Sequence, residues 1–291
     1  MDDLVQAERL SRKLTIGCEI EIPYTGRSPA YGSIKDLKPA SYIHFAESSR
    51  ILNILDVPYE TDKQGEAAIP KTRNIKLQLA IIQELHQMGF LPLDFDKQHQ
   101  LNFTLHVNIG IPKELIDFLQ STNYEGTKRN TPYESREKTS DFVKQEVLLL
   151  STLFGIAYTT PNRITKGAYT IPAEVKGHGE DLRIEFRNQT YVPENDNEAL
   201  LENMRLTTLG FMLALSQNGN DEVKEAYQAF LNTTFDDIEK ELGGRTLKGV
   251  QLGFSNHAGK ACENETVKSK VALNIATFAK IVENSTKGTY S

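Results

Sequence analysis

The sequence predicts an α+β protein. Its expected architecture is a curved, mainly antiparallel sheet of about five or six strands, with a polar concave face and helices packed on the other face. Two observations carry this expectation. Three segments, 15–23, 101–111 and 181–191, alternate apolar and polar residues with period two. Between and after them lie segments whose apolar residues recur every three or four positions. The first period gives a strand with one buried face, and the second gives an amphipathic helix.

In chain order, segment 15–23 sets Ile16, Cys18, Ile20 and Ile22 on one face and Gly17, Glu19 and Glu21 on the other. A short helix is expected over 41–55, before the turn at Val57-Pro58. Segment 65–70 leads into a helix over 74–88, where Ile75, Leu79, Ile82, Leu85 and Met88 form the apolar stripe and Gly89 the stop. Segment 101–111 sets Leu101, Phe103, Leu105, Val107 and Ile109 against Asn102, Thr104, His106, Asn108 and Gly110. Residues 120–136, rich in Ser, Thr and Asn and carrying Gly126 and Pro132, read as a loop. Segment 139–156 is helical with Phe142, Val143, Val147, Leu150 and Phe154 inward, and 177–180 is a turn. Segment 181–191 sets Leu182, Ile184 and Phe186 against Arg183, Glu185 and Arg187. Helices follow over 197–217 (stopped by Asn218-Gly219), 221–231, 236–242 and 266–284. No shift in composition marks a boundary, so residues 1–291 are expected to form a single domain, with 220–291 a helical C-terminal extension.

Composition narrows the function classes. With 291 residues the chain is long enough for a sizeable core. Lys and Arg total 33 against 39 Asp and Glu, a net charge of −6, which argues against a nucleic-acid partner. Two cysteines, Cys18 and Cys262, give no disulfide framework and no zinc cluster. No apolar run approaches the ~20 residues of a membrane helix, and the acidic N-terminus lacks an apolar signal core. The expectation is a cytoplasmic protein without a membrane partner. The oligomeric state stays open, a homo-oligomer included.

The polar faces of the three strands carry metal-ligand and phosphate-binding residue types. Glu19 and Glu21 share a face ~7 Å apart, which is mildly repulsive unless a cation sits between them. Carboxylates with an imidazole suit Mg2+ or Mn2+. Taken singly each feature has an ordinary reading: an exposed strand face, a structural histidine, an ion-pair ladder at Arg183, Glu185 and Arg187. In combination the faces converge if the strands belong to one sheet.

The segments GCEIEI, GEAAIP, LHVNIG and RIEFRN, in this order between Thr15 and Ala214, resemble the motifs of the carboxylate–amine ligase superfamily. That superfamily includes glutamine synthetases and glutamate–cysteine ligases, and the chain is most similar to its small amidoligases. The resemblance implies a glutamine synthetase-like catalytic fold and an ATP- and Mg2+- (or Mn2+-) dependent ligase. Such an enzyme activates a carboxylate as an acyl phosphate and joins it to an amine. Its substrates would be small-molecule or peptide carboxylates and amines. The resemblance also implies site residues. Glu19, Glu21, Glu66, His106 and Glu185 match the metal positions, and Arg187, Glu66 and Asn108 fall among the catalytic positions. Arg187 matches the arginine facing the nucleotide phosphates. Asn108, Arg183 and Lys128 are further phosphate contacts, Lys128 from the expected closing loop over 120–136. Many amidoligases have a second His where this chain has Asn108. Arg183 could instead pair with Asp181 or Glu180, and Arg187 with a carboxylate on a neighbouring strand. Two rival functions are a guanidino-type phosphotransferase on the same architecture and a catalytically silent binding protein.

Overall fold

In a computed structural model of the protein, the three alternating segments join one antiparallel sheet. The described residues are 14–23, 64–68, 73–87, 104–120, 139–158, 173–177, 182–190, 196–217, 219–242 and 261–286. The expected helix over 41–55 and nearly all of the loop over 120–136, with Lys128, lie outside them. The elements run β1 (Ile16–Pro23), β2 (Gln64–Ala68), α1 (Ile75–Gln87), β3 (Thr104–Gly110), a 3-10 helix (Lys113–Gln120), α2 (Asp141–Tyr158), β4 (Ala173–Lys176), β5 (Arg183–Thr190), α3 (Asn197–Leu215), α4 (Asp221–Glu241) and α5 (Glu265–Thr286). The sheet order is β2-β1-β3-β5-β4, and every neighbouring pair is antiparallel. The architecture is α+β.

Two strands, β2 and β4, go beyond the three that periodicity reveals. β2, in the sequence Gln-Gly-Glu-Ala-Ala, has no large apolar side chain and becomes a strand by pairing with β1. β4 spans only four residues, with Ala173 and Val175 buried. Gly177, directly after β4, has φ 88, the left-handed conformation that glycine takes without a Cβ clash. The C-terminal helices also differ from expectation. Segments 221–231 and 236–242 form one continuous helix. Asn232-Thr233-Thr234 looks like a break, but the Thr234 hydroxyl bonds back to the Phe230 carbonyl at 2.7 Å within the helix. Leu231, Thr234 and Ile238 then continue one buried stripe.

The inward faces of β1, β3 and β5 meet the helices. Ile16, Cys18, Leu105, Val107, Ile109, Ile184 and Phe186 are buried. Where β2 stops short, the Cys18 backbone N–H donates instead to Gln78 Oε1 of α1, at 3.1 Å. The Phe154 ring of α2 meets Phe186 edge-to-face, with centroids 5.1 Å apart. One hydrophobic cluster runs from Val107 and Phe186 through Phe154 and Met204 to Tyr227 in α4 and Phe278 in α5. The described helices after residue 220, α4 and α5, therefore share their core with the sheet. Asp196 caps α3 and Asn220 caps α4 with side-chain oxygens. Asp117 of the 3-10 helix accepts from Ser216 Oγ and the Gln217 N–H, both at 2.7 Å, fixing the end of α3. Among the described residues no helix is long and apolar enough to cross a membrane.

Phe186 links the polar site to the core, because it sits between Glu185 and Arg187 and points the opposite way. Truncating it removes a fully buried ring packed on α2. Phe186→Ala is expected to cost about 3–5 kcal/mol, measured by denaturant unfolding.

Candidate functional site

Cross-strand partners lie on the same face of a sheet. The register therefore fixes which positions share the polar face. Glu66, Glu21, Thr104 and Thr190 form one row across β2, β1, β3 and β5. Glu19 stands opposite His106 in the next row. Gly17, Asn108, Glu185 and Glu174 form a third. Gly110, Arg183 and Lys176 form a fourth. The register shifts between Leu105 and Val107, whose partners are Gln189 and Phe186. Arg187 and Asn188 thus share the space opposite His106. Such a bulge re-aims side chains, and here it leaves both Phe186 and Gln189 on the core side, each buried.

The sheet brings together Glu19, Glu21, Glu66, His106, Asn108, Arg183, Glu185 and Arg187, every predicted site position except Lys128, which lies outside the described residues. The side chains of Glu19, Glu21 and Glu66 are also outside the described set, so for these three only the register is stated.

Glu185 is the centre of the described side chains. It is 1% exposed. Its Oε1 lies 3.2 Å from His106 Nδ1, and its Oε2 lies 3.2 Å from an Arg187 amino nitrogen and contacts Lys176 Nζ. The same Arg187 nitrogen donates to Glu174 Oε1 at 2.6 Å, and Lys176 Nζ lies 3.3 Å from that oxygen. Burial alone would raise the Glu185 pKa. The adjacent His106, Arg187 and Lys176 outweigh burial and hold the carboxyl ionised, well below the usual range. Arg183 donates from Nε to Asn108 Oδ1 at 2.9 Å; the alternative partners Asp181 and Glu180 lie outside the described residues. The neighbouring-strand carboxylate that a structural reading of Arg187 requires is present, in Glu174 of β4.

Charge is divided across this face. The β2–β1 side carries Glu66, Glu21 and Glu19. The β5–β4 side carries Arg183, Arg187 and Lys176, partly balanced by Glu185 and Glu174. Glutamates directly opposite, as Glu21 and Glu66 are, repel unless a proton or a cation is shared. His106 Nδ1 lies beside the Glu185 carboxylate, and a carboxylate next to one ring nitrogen is the support that metal-ligating histidines use. The donor chemistry of these positions fits a hard divalent cation. Among the described residues no group of three or more His, Cys, Asp or Glu is arranged to hold a metal ion.

Glu174 and Lys176 escape motif reading. The signal that would reveal them is local: they flank Val175 as Arg183 and Glu185 flank Ile184, and two such pairs on adjacent antiparallel strands line up. Comparison with family models, curated proteins and solved structures finds no match to this chain.

Glu185 makes the stability depend on pH. Its folded-state pKa is depressed, so its contribution is full above the unfolded value of ~4.3 and is lost as pH falls below that. Glu185→Gln leaves Arg187 and Lys176 less compensated and is expected to cost about 3–5 kcal/mol at neutral pH. The gap between wild type and Glu185→Gln should narrow in acid, as followed by denaturant midpoints across the acidic range. Parallel pH curves would contradict the ionised assignment.

Proposed function

We propose that the protein is an ATP-dependent ligase that joins a carboxylate to an amine, on a glutamine synthetase-like catalytic sheet, with Mg2+ or Mn2+ as cofactor. The single observation that carries this reading is the division of charge across one sheet face, with His106 and Asn108 on the strand between the two halves. A polyphosphate bound with a divalent cation has the same division, since its cation needs carboxylates and its phosphate oxygens need donors.

A divalent cation held by Glu19, Glu21, Glu66 and His106, and by Glu185 where it is released from its ion pairs, supplies neutralisation of the polyphosphate charge. Arg187 presents a planar, permanently charged fork to the γ-phosphate, and Arg183 adds a second. Asn108 positions Arg183 through its Oδ1. The substrate carboxylate oxygen attacks the γ-phosphorus as the bond to ADP breaks. The amine then attacks the acyl carbon, phosphate leaves and the amine proton is lost. Phosphoryl transfer of this kind depends on positioning and electrostatics, which a rigid sheet face provides.

The test is an ADP-release screen against pooled amino acids, small peptides and amines, with mass spectrometry of the product. A new amide appearing with ADP and phosphate is expected. ADP release with a phosphorylated guanidino product and no amide would assign the phosphotransferase instead. Arg187→Lys keeps the charge but loses the fork, and should lower kcat by about 10²-fold or more while changing ATP affinity less. The Arg187–Glu174 ion pair favours a second, purely structural reading of Arg187. That reading predicts a lower melting temperature with turnover per folded molecule unchanged.

A further inference from the structure

Lys176 lies outside every motif that carries the resemblance, yet its ammonium touches the central carboxylate. Of the groups around Glu185, His106 is 3% exposed, Arg187 16% and Lys176 27%. Lys176 is therefore the partner nearest water and the one that can leave without opening the fold. Its chemistry suits exchange. An ammonium is a compact point charge on a flexible stem, whereas a guanidinium is a planar fork, and that of Arg187 bridges Glu174 and Glu185. Glu174 stands in the same cross-strand row as Glu185 and offers the ammonium a second acceptor at 3.3 Å. Lys176 can thus let go of Glu185 and still be paired.

We propose that Lys176 is a tethered counter-cation of Glu185. Without ligand it neutralises the buried carboxylate. When a divalent cation arrives with the polyphosphate, Lys176 yields Glu185 to the metal and turns its ammonium to the phosphate oxygens. This rests on the metal–nucleotide reading above and adds to it a positioning residue on β4. It also explains how a carboxylate engaged by the chain's own cations can belong to a metal site: exchange replaces one positive partner with another, and Glu185 is never left buried and unpaired.

Two neighbouring substitutions should act with opposite signs. The probe is Mn2+ alone, titrated into the full-length, nucleotide-free protein and followed by the paramagnetic resonance signal of free Mn2+. Lys176→Met removes the competitor and should tighten Mn2+ binding roughly tenfold, the worth of one charge-assisted hydrogen bond. Glu174→Gln removes the ammonium's second acceptor, leaves Lys176 on Glu185 and should weaken Mn2+ binding. In the same preparations Lys176→Met should bind Mn2+–ATP less tightly than its Mn2+ affinity alone implies. Non-specific loss of structure would move both variants toward weaker binding, and Lys176→Gln repeats the test should the Met variant fold poorly. A wild type that binds Mg2+–ATP, with both variants matching its Mn2+ affinity within about twofold, overturns the inference and leaves the ligase reading intact. If wild type and Lys176→Met both bind neither Mn2+ nor ATP, the two readings fall together.

Discussion

A carboxylate with 1% exposure has no water to solvate it, so the chain must supply its polar and cationic partners. Glu185 obtains them from three strands: His106 of β3, Lys176 of β4 and Arg187 of its own strand. Each partner reaches it through the pairing of those strands. The row Asn108–Glu185–Glu174 brings a second carboxylate beside it and so balances Arg187 and Lys176. The bulge opposite His106 keeps Arg187 on the polar side without rotating the end of β5 away from β3. On the opposite face Gln189 is fully buried, and its amide has no hydrogen-bond partner among the described residues.

The same alternation that gathers the charges gathers the core. Ile184 and Phe186 alternate with Arg183, Glu185 and Arg187, so a slip of one residue would bury the ions and expose the apolar side chains together. Behind the sheet, α2 and α3 are buried along most of their length, and α4 and α5 complete the cluster around Tyr227. Tyr227 packs in tilted contacts among Phe211, Phe230 and Phe278 and donates its hydroxyl to the buried Glu146 at 3.1 Å. The rows of charge thus stand on a packed helical support. Rigid support is what a site working by position and electrostatics requires.

Much of this was legible in the sequence wherever period and length were sufficient. The three strands with seven or eight residues each show period two over several turns of the pattern, and they are adjacent in the sheet. Their polar positions fall on one face because alternation leaves no other arrangement once the strands pair. Four-residue β4 offers too few positions for periodicity, and β2 has no large apolar residues, so tertiary pairing decides both. Register is a relation between strands and cannot be read from either one alone. The opposition of Glu21 to Glu66, the bulge at Arg187 and the engagement of Glu185 by Lys176 all depend on it. The continuity of α4 through Asn232-Thr233-Thr234 was hidden for a different reason: burial of Leu231, Thr234 and Ile238 on one stripe overrides weak helix propensity there.

The charge-divided sheet face is proposed to receive a divalent cation and a nucleotide polyphosphate as one ligand. Isothermal titration of ATP into the protein, with and without Mg2+, tests it most directly. Saturable binding that requires Mg2+, weakened by Glu21→Gln on the acidic side and by Arg183→Gln on the basic side, is the result the account predicts. No binding in either condition, or binding indifferent to Mg2+ and to both substitutions, would contradict it.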